Sequence, residues 1–412
     1  NLQLGDFDKM LKDAKVNPSN YSDPISYFKD NSIVCFLKKF PYWPSKTDPT
    51  FEAKKKFLAC EAQCRQTNRI FRSGKVFQTF SADNAILYIA QKKISDILGD
   101  CPSPADLDFE FGPGSTYGVK FNTTPLHKLG SALEVTETCY AAAEEFLLSC
   151  PGWRTSSNLF VEGPPHYKDL TVVIGDRLSF VPKTALTDRP IAIGPLVNVL
   201  LQKGVGSVIR KRLKPYNDLN KLQIIHKRQA MLASVQGHLA TVDLESASDT
   251  ISYELVKNLL PLDWFLLLDA CRSQKYEIEG KVYPYSKFSA MGNGYTFELE
   301  SLIFFSLAFA VCKYYGLDVS DVSAFGDDII VPTAAYEHLE RVLSLCGFTI
   351  NSEKSYSEGP FRESCGGDYF DGISVRGFYL KDRISYRTLF LFHNFLVKEG
   401  WQFVFQKTYR YI

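Results

Sequence analysis

Two aspartates stand side by side at Gly326-Asp327-Asp328, between the apolar runs Val322–Phe325 and Ile329–Val331. Two short apolar runs around a glycine-led pair are the sequence form of a tight hairpin, whose tip then presents adjacent carboxylates. Like charges so close repel each other and cost stability unless a cation neutralises them, so Mg²⁺, or Mn²⁺ in its place, is the expected occupant. A third apolar run, Leu239-Ala-Thr-Val, ends in Asp243, and a strand end is a rigid place from which another carboxylate can complete the site. Carboxylates holding two ions roughly 3.5–4 Å apart suit phosphoryl transfer, one ion activating an attacking 3′-hydroxyl and the other stabilising the leaving pyrophosphate oxygens. Gly-Asp-Asp alone also makes ordinary turns. Its weight here comes from order: a strand-end Asp, a Gly-Asn-Gly loop opening a long helix, the hairpin, then an amphipathic helix.

That helix opening is Ser289-Ala-Met-Gly-Asn-Gly-Tyr-Thr-Phe-Glu-Leu-Glu-Ser301. Gly292 and Gly294 let the backbone approach a ligand closely, while Ser289 and Asn293 offer hydrogen bonds; an ordinary loop and cap would read the same way. Lys183 and Arg189 sit together in VPKTALTDRPIAIGP, Val181 to Pro195. One strongly basic region follows, with Lys203, Arg210, Lys211 and Arg212 on a helix expected over Leu200–Leu213 and Lys214, Lys221, Lys227 and Arg228 beyond it. A solvated charged face is its bland reading.

Elements must hold these residues in place, and 412 residues with 45% hydrophobic and 14% aromatic content can bury a large core divided into subdomains. The formal charge of +1 gives no global field for a polyanion, so any nucleic acid must be held by local clusters. The first part reads as helical, over Phe51–Thr67 and Asn84–Leu98, before Pro and Gly break the pattern into a loop between Cys101 and Gly118. A helix is expected over Ser131–Ser149, a hairpin over Leu170–Val181 and a helix from Ile251. Ten cysteines without CxxC or HExxH spacing read as reduced, mostly buried thiols. The apolar run Leu302–Cys312 falls short of the roughly 20 residues a membrane span needs and reads as a core helix of a soluble protein. The start, Asn1-Leu-Gln-Leu-Gly, lacks an initiator Met and a secretory signal, which suggests a trimmed beginning and cytoplasmic residence. No fixed-period repeat is visible, and no GxxxxGK[ST] loop supports an ATPase reading.

The strings ATVDLESASDTIS (240–252), MGNGYTFELESLIF (291–304), FGDDIIVP (325–332) and EGPFRESCG (358–366) closely resemble, in the same order, the replicase catalytic subunit of levivirus-type RNA bacteriophages. The resemblance runs from about Val181 to Tyr379. It implies an α+β right-hand polymerase of palm, fingers and thumb, with an antiparallel palm sheet flanked by helices. On that reading residues 1–111 are a helical fingers/thumb bridge, 112–238 fingers, 239–357 palm, and 358–412 the palm-thumb junction with a partial thumb. The implied activity is RNA-directed RNA synthesis from NTPs in the cytoplasm of an infected bacterium. Asp243 with Leu244, Asp327 and Asp328 match the metal positions. Asp249, Ser289 and Asn293 match the region that senses ribose and incoming base, where a 2′-hydroxyl contact is expected. Lys183 and Arg189 match the basic motif that holds the triphosphate, with a solvated surface pair as the alternative. Lys354 falls where polymerases place a lysine that protonates pyrophosphate, or is a plain surface lysine. Arg210, Lys211 and Arg212 would line an RNA channel. Phe361, Arg362 and Cys365 match a motif near the palm-thumb junction, with a primer-side or structural role. The expected partners are template and product RNA, host elongation factors Tu and Ts, and for some members a ribosomal protein.

Three departures stand out. Gly194 replaces a carboxylate of the family, Glu245 adds one beside Asp243, and Asn217–Gly237 differs in pattern. The family also continues well beyond the stretch that follows Gly-Asp-Asp here. Competing classes are a two-metal nuclease, which needs neither the Gly-Asn-Gly helix nor a triphosphate clamp, and a reverse transcriptase, whose hairpin tip carries an aromatic and Met or Val before the aspartates. A non-enzymatic RNA-binding protein would not need Asp243 to face Asp327.

Overall fold

The computed structural model describes residues 7–42, 45–74, 76, 81–120, 124–150 and 170–404; the opening Asn1–Gly5 lies outside them. The strands in chain order are β1 (Leu133–Thr136), β2 (Leu170–Val173), β3 (Asp176–Pro182), β4 (Asp188–Ile193), β5 (Leu239–Val242) and β6 (Lys275–Ile278). They continue with β7 (Lys281–Pro284), β8 (Ser323–Phe325), β9 (Asp328–Pro332), β10 (Phe361–Ser364), β11 (Gly367–Phe370) and β12 (Ile373–Ser374). Four sheets result, in the orders β1-β2, β4-β3-β6-β7, β5-β9-β8 and β10-β11-β12. Most pairs are antiparallel, and helices surround them, which is the α+β organisation expected.

The β5-β9-β8 sheet rests on the helix Thr296–Tyr315, whose Leu299, Leu302, Ile303, Phe304, Leu307 and Val311 are all buried. A helix apolar on nearly every face can only be a core helix, as the run Leu302–Cys312 suggested. Helices Ala82–Leu98 and Leu196–Leu213 pack against its other sides. No helix among the described residues is long and apolar enough to cross a membrane. All ten cysteines are free thiols.

The early helices are longer than their apolar spacing marked. Asp48 caps Pro49–Arg72 and Ser81 caps Ala82–Leu98, each side chain accepting from backbone N–H groups of the first turn. Three expectations need correction. Ser131–Ser149 is not one helix: Leu133–Thr136 is a fully buried strand and the helix starts at Tyr140. The hairpin is β3 with β4, whereas Leu170–Val173 pairs in parallel with β1. Gly175 marks the change of sheet, since a Cβ there would meet the Lys275 carbonyl oxygen at 2.0 Å. The helix after Asp243 comes in two pieces, Ala247–Thr250 and Tyr253–Leu259. Between them Phe288 N–H donates to the Ile251 carbonyl.

Arg362 ties β10 to the β5-β9-β8 sheet. Fully buried, its guanidinium donates to five carbonyls: Leu239 (2.8 Å), Ser357 (2.8 Å), Glu358 (3.0 Å), Gly359 (2.9 Å) and Phe361 (2.7 Å). Of its two sequence-derived roles, this geometry matches the structural one. Arg362→Met should destabilise the chain by about 3–5 kcal/mol in chemical denaturation, because buried carbonyls lose their donors. Arg362→Lys should recover little, since three donors on one ammonium cannot replace the planar fork.

Candidate active site

The register of the central sheet decides where the carboxylates lie. Val242 pairs with Ile329, so the next residue, Asp243, comes opposite Asp328. On the other side Phe325 pairs with Asp328, leaving Gly326-Asp327 as a two-residue turn. Gly326 has φ +61°, and a Cβ there would meet the Phe297 ring at 3.0 Å, so both conformation and space require glycine. Its N–H donates to Ser301 Oγ at 2.9 Å, which pins the turn to the core helix. Asp243 is held by the segment after Ile350: Asn351 Nδ2 donates to one carboxylate oxygen at 2.8 Å and Lys354 Nζ to the other at 3.4 Å. Leu244 buries its side chain beneath a bridge to Ile350, so it has only a carbonyl to offer an ion.

The charges strain against each other. Burial, then the Asp243 charge, raises the Asp327 carboxyl above its ordinary value. Burial, then Asp327, pushes Asp328 up to about 6. Yet the Asp327 side chain is open to solvent, so it sits in a recess whose walls weaken its hydration rather than in the core. Burial acts to depress the Lys354 ammonium, but Glu363 and Asp243 more than reverse this and hold it above the usual lysine range. Lys183, on the β3-β4 hairpin, is pushed down by the atoms around it and then by Arg189, Lys56 and Lys354, with Asp327 acting in the opposite sense. Lys183 and Asp327 therefore lie close enough for each to feel the other's charge.

The donor set fits a divalent cation: hard oxygens, two of them on carboxyls whose pKa values are raised by burial first and by neighbouring carboxylates second. As they stand, no three His, Cys, Asp or Glu side chains among the described residues form a closed ligand set. Asp243 is turned towards Asn351 and Lys354.

Next to this cluster, Asp249 is buried against Lys287, with Nζ at 2.8 Å from Oδ1. Asn293 is fixed on both sides, its Oδ1 accepting from Ala290 N at 2.7 Å and its Nδ2 donating to Asp176 at 3.4 Å. Ser289 is buried, and its Oγ has no hydrogen-bond partner among the described residues. Gly292, at φ +115°, lies against the Ala192 carbonyl, while Ala192 N–H donates to Met291. The Gly-Asn-Gly loop is thus stitched to β4 of the hairpin that carries Lys183 and Arg189. The basic helix does not join this group as a unit. Arg210 pairs with Glu298 (2.6 Å), Arg212 donates to the Leu98 and Asp100 carbonyls, and of the three Lys211 alone is exposed.

Sequence reasoning missed Asp176, Glu61, Lys287, Glu300 and Glu363. Lys287 left one signal, a charge set between Tyr285 and Phe288. Glu300 belongs to the quoted helix opening, and burial next to Asp327 holds its carboxyl well above the ordinary value.

The family model described as RNA replicase, beta-chain matches residues 4–405. The chain belongs to that family. It is 40% identical over 372 residues to the RNA-directed RNA polymerase subunit beta of Escherichia virus Qbeta, covering 87% of this chain and 59% of that protein. The corresponding subunit of Enterobacteria phage SP is 39% identical, with 84% and 59% covered. The RNA-directed RNA polymerase beta chain of Escherichia phage MS2 is 34% identical, with 88% and 65% covered. This member of the replicase family therefore spans about three-fifths of the length of the first two relatives. A solved structure titled "RdRp complex" shares 11% identity at a TM-score of 0.43, over 72% of this chain and 29% of that one.

The raised carboxyls fix a pH dependence. Asp328 moves from its usual 3.8 to about 6, so the folded chain binds more protons than the unfolded chain in that window, and metal-free stability falls as pH rises through it. Mg²⁺ at pH 7 should reverse the loss, by about 1.4 kcal/mol at ten times its Kd, with the gain shrinking below about pH 5. Asp328→Asn should weaken both effects, since Asp327 keeps a raised carboxyl and Asp243 and Asp327 remain as oxygen donors. Melting temperatures indifferent to pH and Mg²⁺ would rule out an ion site here.

Proposed function

We propose that this chain is the catalytic part of an RNA-directed RNA polymerase of an RNA bacteriophage, joining NTPs to the 3′-hydroxyl of a growing RNA on an RNA template. The observation that carries this reading is the strand register that brings Asp243, Asp327 and Asp328 to one end of an antiparallel sheet, with Lys183 of the β3-β4 hairpin near enough to feel the Asp327 charge. Relatives of this chain bear the name RNA-directed RNA polymerase, which agrees with that geometry.

In this assignment the β5-β9-β8 sheet and its core helix are the palm, within 239–357. Residues 112–238 are fingers, 1–111 bridge fingers and thumb, and 358–412 begin the thumb. Asp243, Asp327 and Asp328, with the Leu244 carbonyl nearby, would hold two Mg²⁺ ions, for which Mn²⁺ could substitute. Bound there, the ions would supply charge neutralisation for the attacking oxygen and the leaving pyrophosphate. The chain's own groups do the rest. Lys183 and Arg189 receive the triphosphate, Arg189 as a planar fork and Lys183 as a point charge. Lys354, held charged by Glu363 and Asp243, has a proton to give to the departing pyrophosphate. Asp249, Ser289 and Asn293 lie where the ribose and base would be examined. Of Arg210, Lys211 and Arg212, Lys211 is the exposed one, with no ion pair among the described residues, and would meet an RNA phosphate. RNA, NTPs, host elongation factors Tu and Ts and a ribosomal protein are the proposed partners, in the cytoplasm of the infected bacterium.

The test is template-dependent incorporation of labelled NTPs with Mg²⁺, host factors supplied, comparing wild type with Asp327→Ala. Wild-type incorporation should fall by at least about 10³-fold in the variant, and equal signals would place the activity elsewhere. Degradation of template without incorporation would favour a nuclease. Asp249→Ala should narrow the preference for NTP over dNTP, read as the ratio of the two kcat/KM values; an unchanged ratio would remove Asp249 from sugar selection.

A further inference from the structure

Lys287 is wholly buried, yet it is paired rather than neutral. Its Nζ lies 2.8 Å from Asp249 Oδ1 and 3.5 Å from Glu61 Oε1, and 3.7 Å from the centre of the Phe57 ring. Burial alone would lower its pKa, but Asp249 and Glu61 more than offset that, so the ammonium persists. The segments carrying the pair are stitched together: Lys287 bridges Ser252, and Phe288 N–H donates to the Ile251 carbonyl at 2.7 Å. Glu61 adds the Pro49–Arg72 helix, its second oxygen accepting from Ser286 N–H.

A buried ion pair is a poor adhesive, because apolar residues of the same volume hold elements together at least as well. What it provides is orientation. One oxygen of Asp249 is fixed by a charge-assisted bond, and the carboxylate keeps 12% of its side-chain surface open. A carboxylate fixed in this way can only accept, so the group that satisfies its open face must be a donor. Two residues beyond Lys287, Ser289 Oγ is buried without a hydrogen-bond partner among the described residues. We propose that Lys287 is a positioning residue for sugar selection, clamping Asp249 so that its free oxygen takes a hydroxyl hydrogen of the incoming nucleotide and is left unsatisfied by a C2′–H. This rests on the polymerase reading above. Glu61 braces Lys287 from the neighbouring helix and does not itself meet the nucleotide.

The experiment measures kcat/KM for one NTP and its dNTP in the active assembly carrying wild type, Lys287→Met, Lys287→Gln or Glu61→Gln, with melting curves of each. Lys287→Met should lower kcat/KM for the NTP by roughly 10- to 100-fold and leave the dNTP within about threefold, narrowing discrimination. Lys287→Gln keeps an amide donor in the slot without the charge; it should show the same direction and carries the test if the Met variant does not melt cooperatively. Glu61→Gln should keep discrimination, because the Lys287–Asp249 bond survives. An equal fall for NTP and dNTP, or an unchanged ratio, would overturn the assignment and leave Lys287 a packing group. Wild type that incorporates neither nucleotide would instead overturn the polymerase reading, and the inference with it.

Discussion

Everything in the site depends on the register of β5 against β9. Pairing Val242 with Ile329 forces Asp243 opposite Asp328, while closure of the β8-β9 turn puts Asp327 one residue away. Sheet hydrogen bonds fix these backbones, so the side chains cannot escape their mutual repulsion by more than a rotamer change. A one-residue slip would relieve the charges but would exchange the faces of Ile329 and Val331, which pack into the core with the Thr296–Tyr315 helix, and of Ile330, which packs with Ala233 and Leu239 on the other side. Hydrophobic burial on both faces thus holds an electrostatically unfavourable arrangement at the end of the sheet. Ser301 adds a specific fastening, its Oγ accepting from Gly326 N–H directly beneath the turn.

The same logic explains which parts could be read in the sequence. Gly326-Asp327-Asp328 is local: a glycine at positive φ, two flanking apolar runs and two carboxylates lie within ten residues. The core helix was legible because its apolar content has no polar face. Leu133–Thr136 was not, because the alternation of Leu-Glu-Val-Thr is only four residues long and runs straight into the helix-spaced residues that follow, so neither period is long enough to separate them. The break at Gly175 was hidden for a different reason. Alternation continues through it, and only the approach of the Lys275 carbonyl, a hundred residues away, shows that the chain changes sheet.

The basic helix is a warning about reading charge as function. Arg210, Lys211 and Arg212 are adjacent in sequence, but helical geometry points them in different directions. Arg210 turns inward to Glu298 and Asn220, and Arg212 lies over Trp264 and closes the carbonyl end of the Ala82–Leu98 helix. Local composition counts cations but does not reveal which have partners inside the fold. The opposite error applies to Lys287, Glu61 and Asp176, charged residues that look like surface until the tertiary structure buries them.

Asp176 also gives physical meaning to the departure at Gly194. Asp176 is almost fully buried at the start of β3, where Ser273, Tyr285 and Asn293 donate to its carboxylate. Burial raises its pKa, and those donors act against the rise. A Cβ on Gly194 would come within 3.3 Å of Asp176 Oδ1 and 3.0 Å of Val199. A carboxylate at 194 would therefore crowd an existing buried carboxylate with no cation at ion-pair distance among the described contacts. Glycine removes that conflict and leaves Asp176 free to hold the Asn293 amide. The orientation of Asn293 thus comes from Asp176 on strand β3 and from its own loop at Ala290.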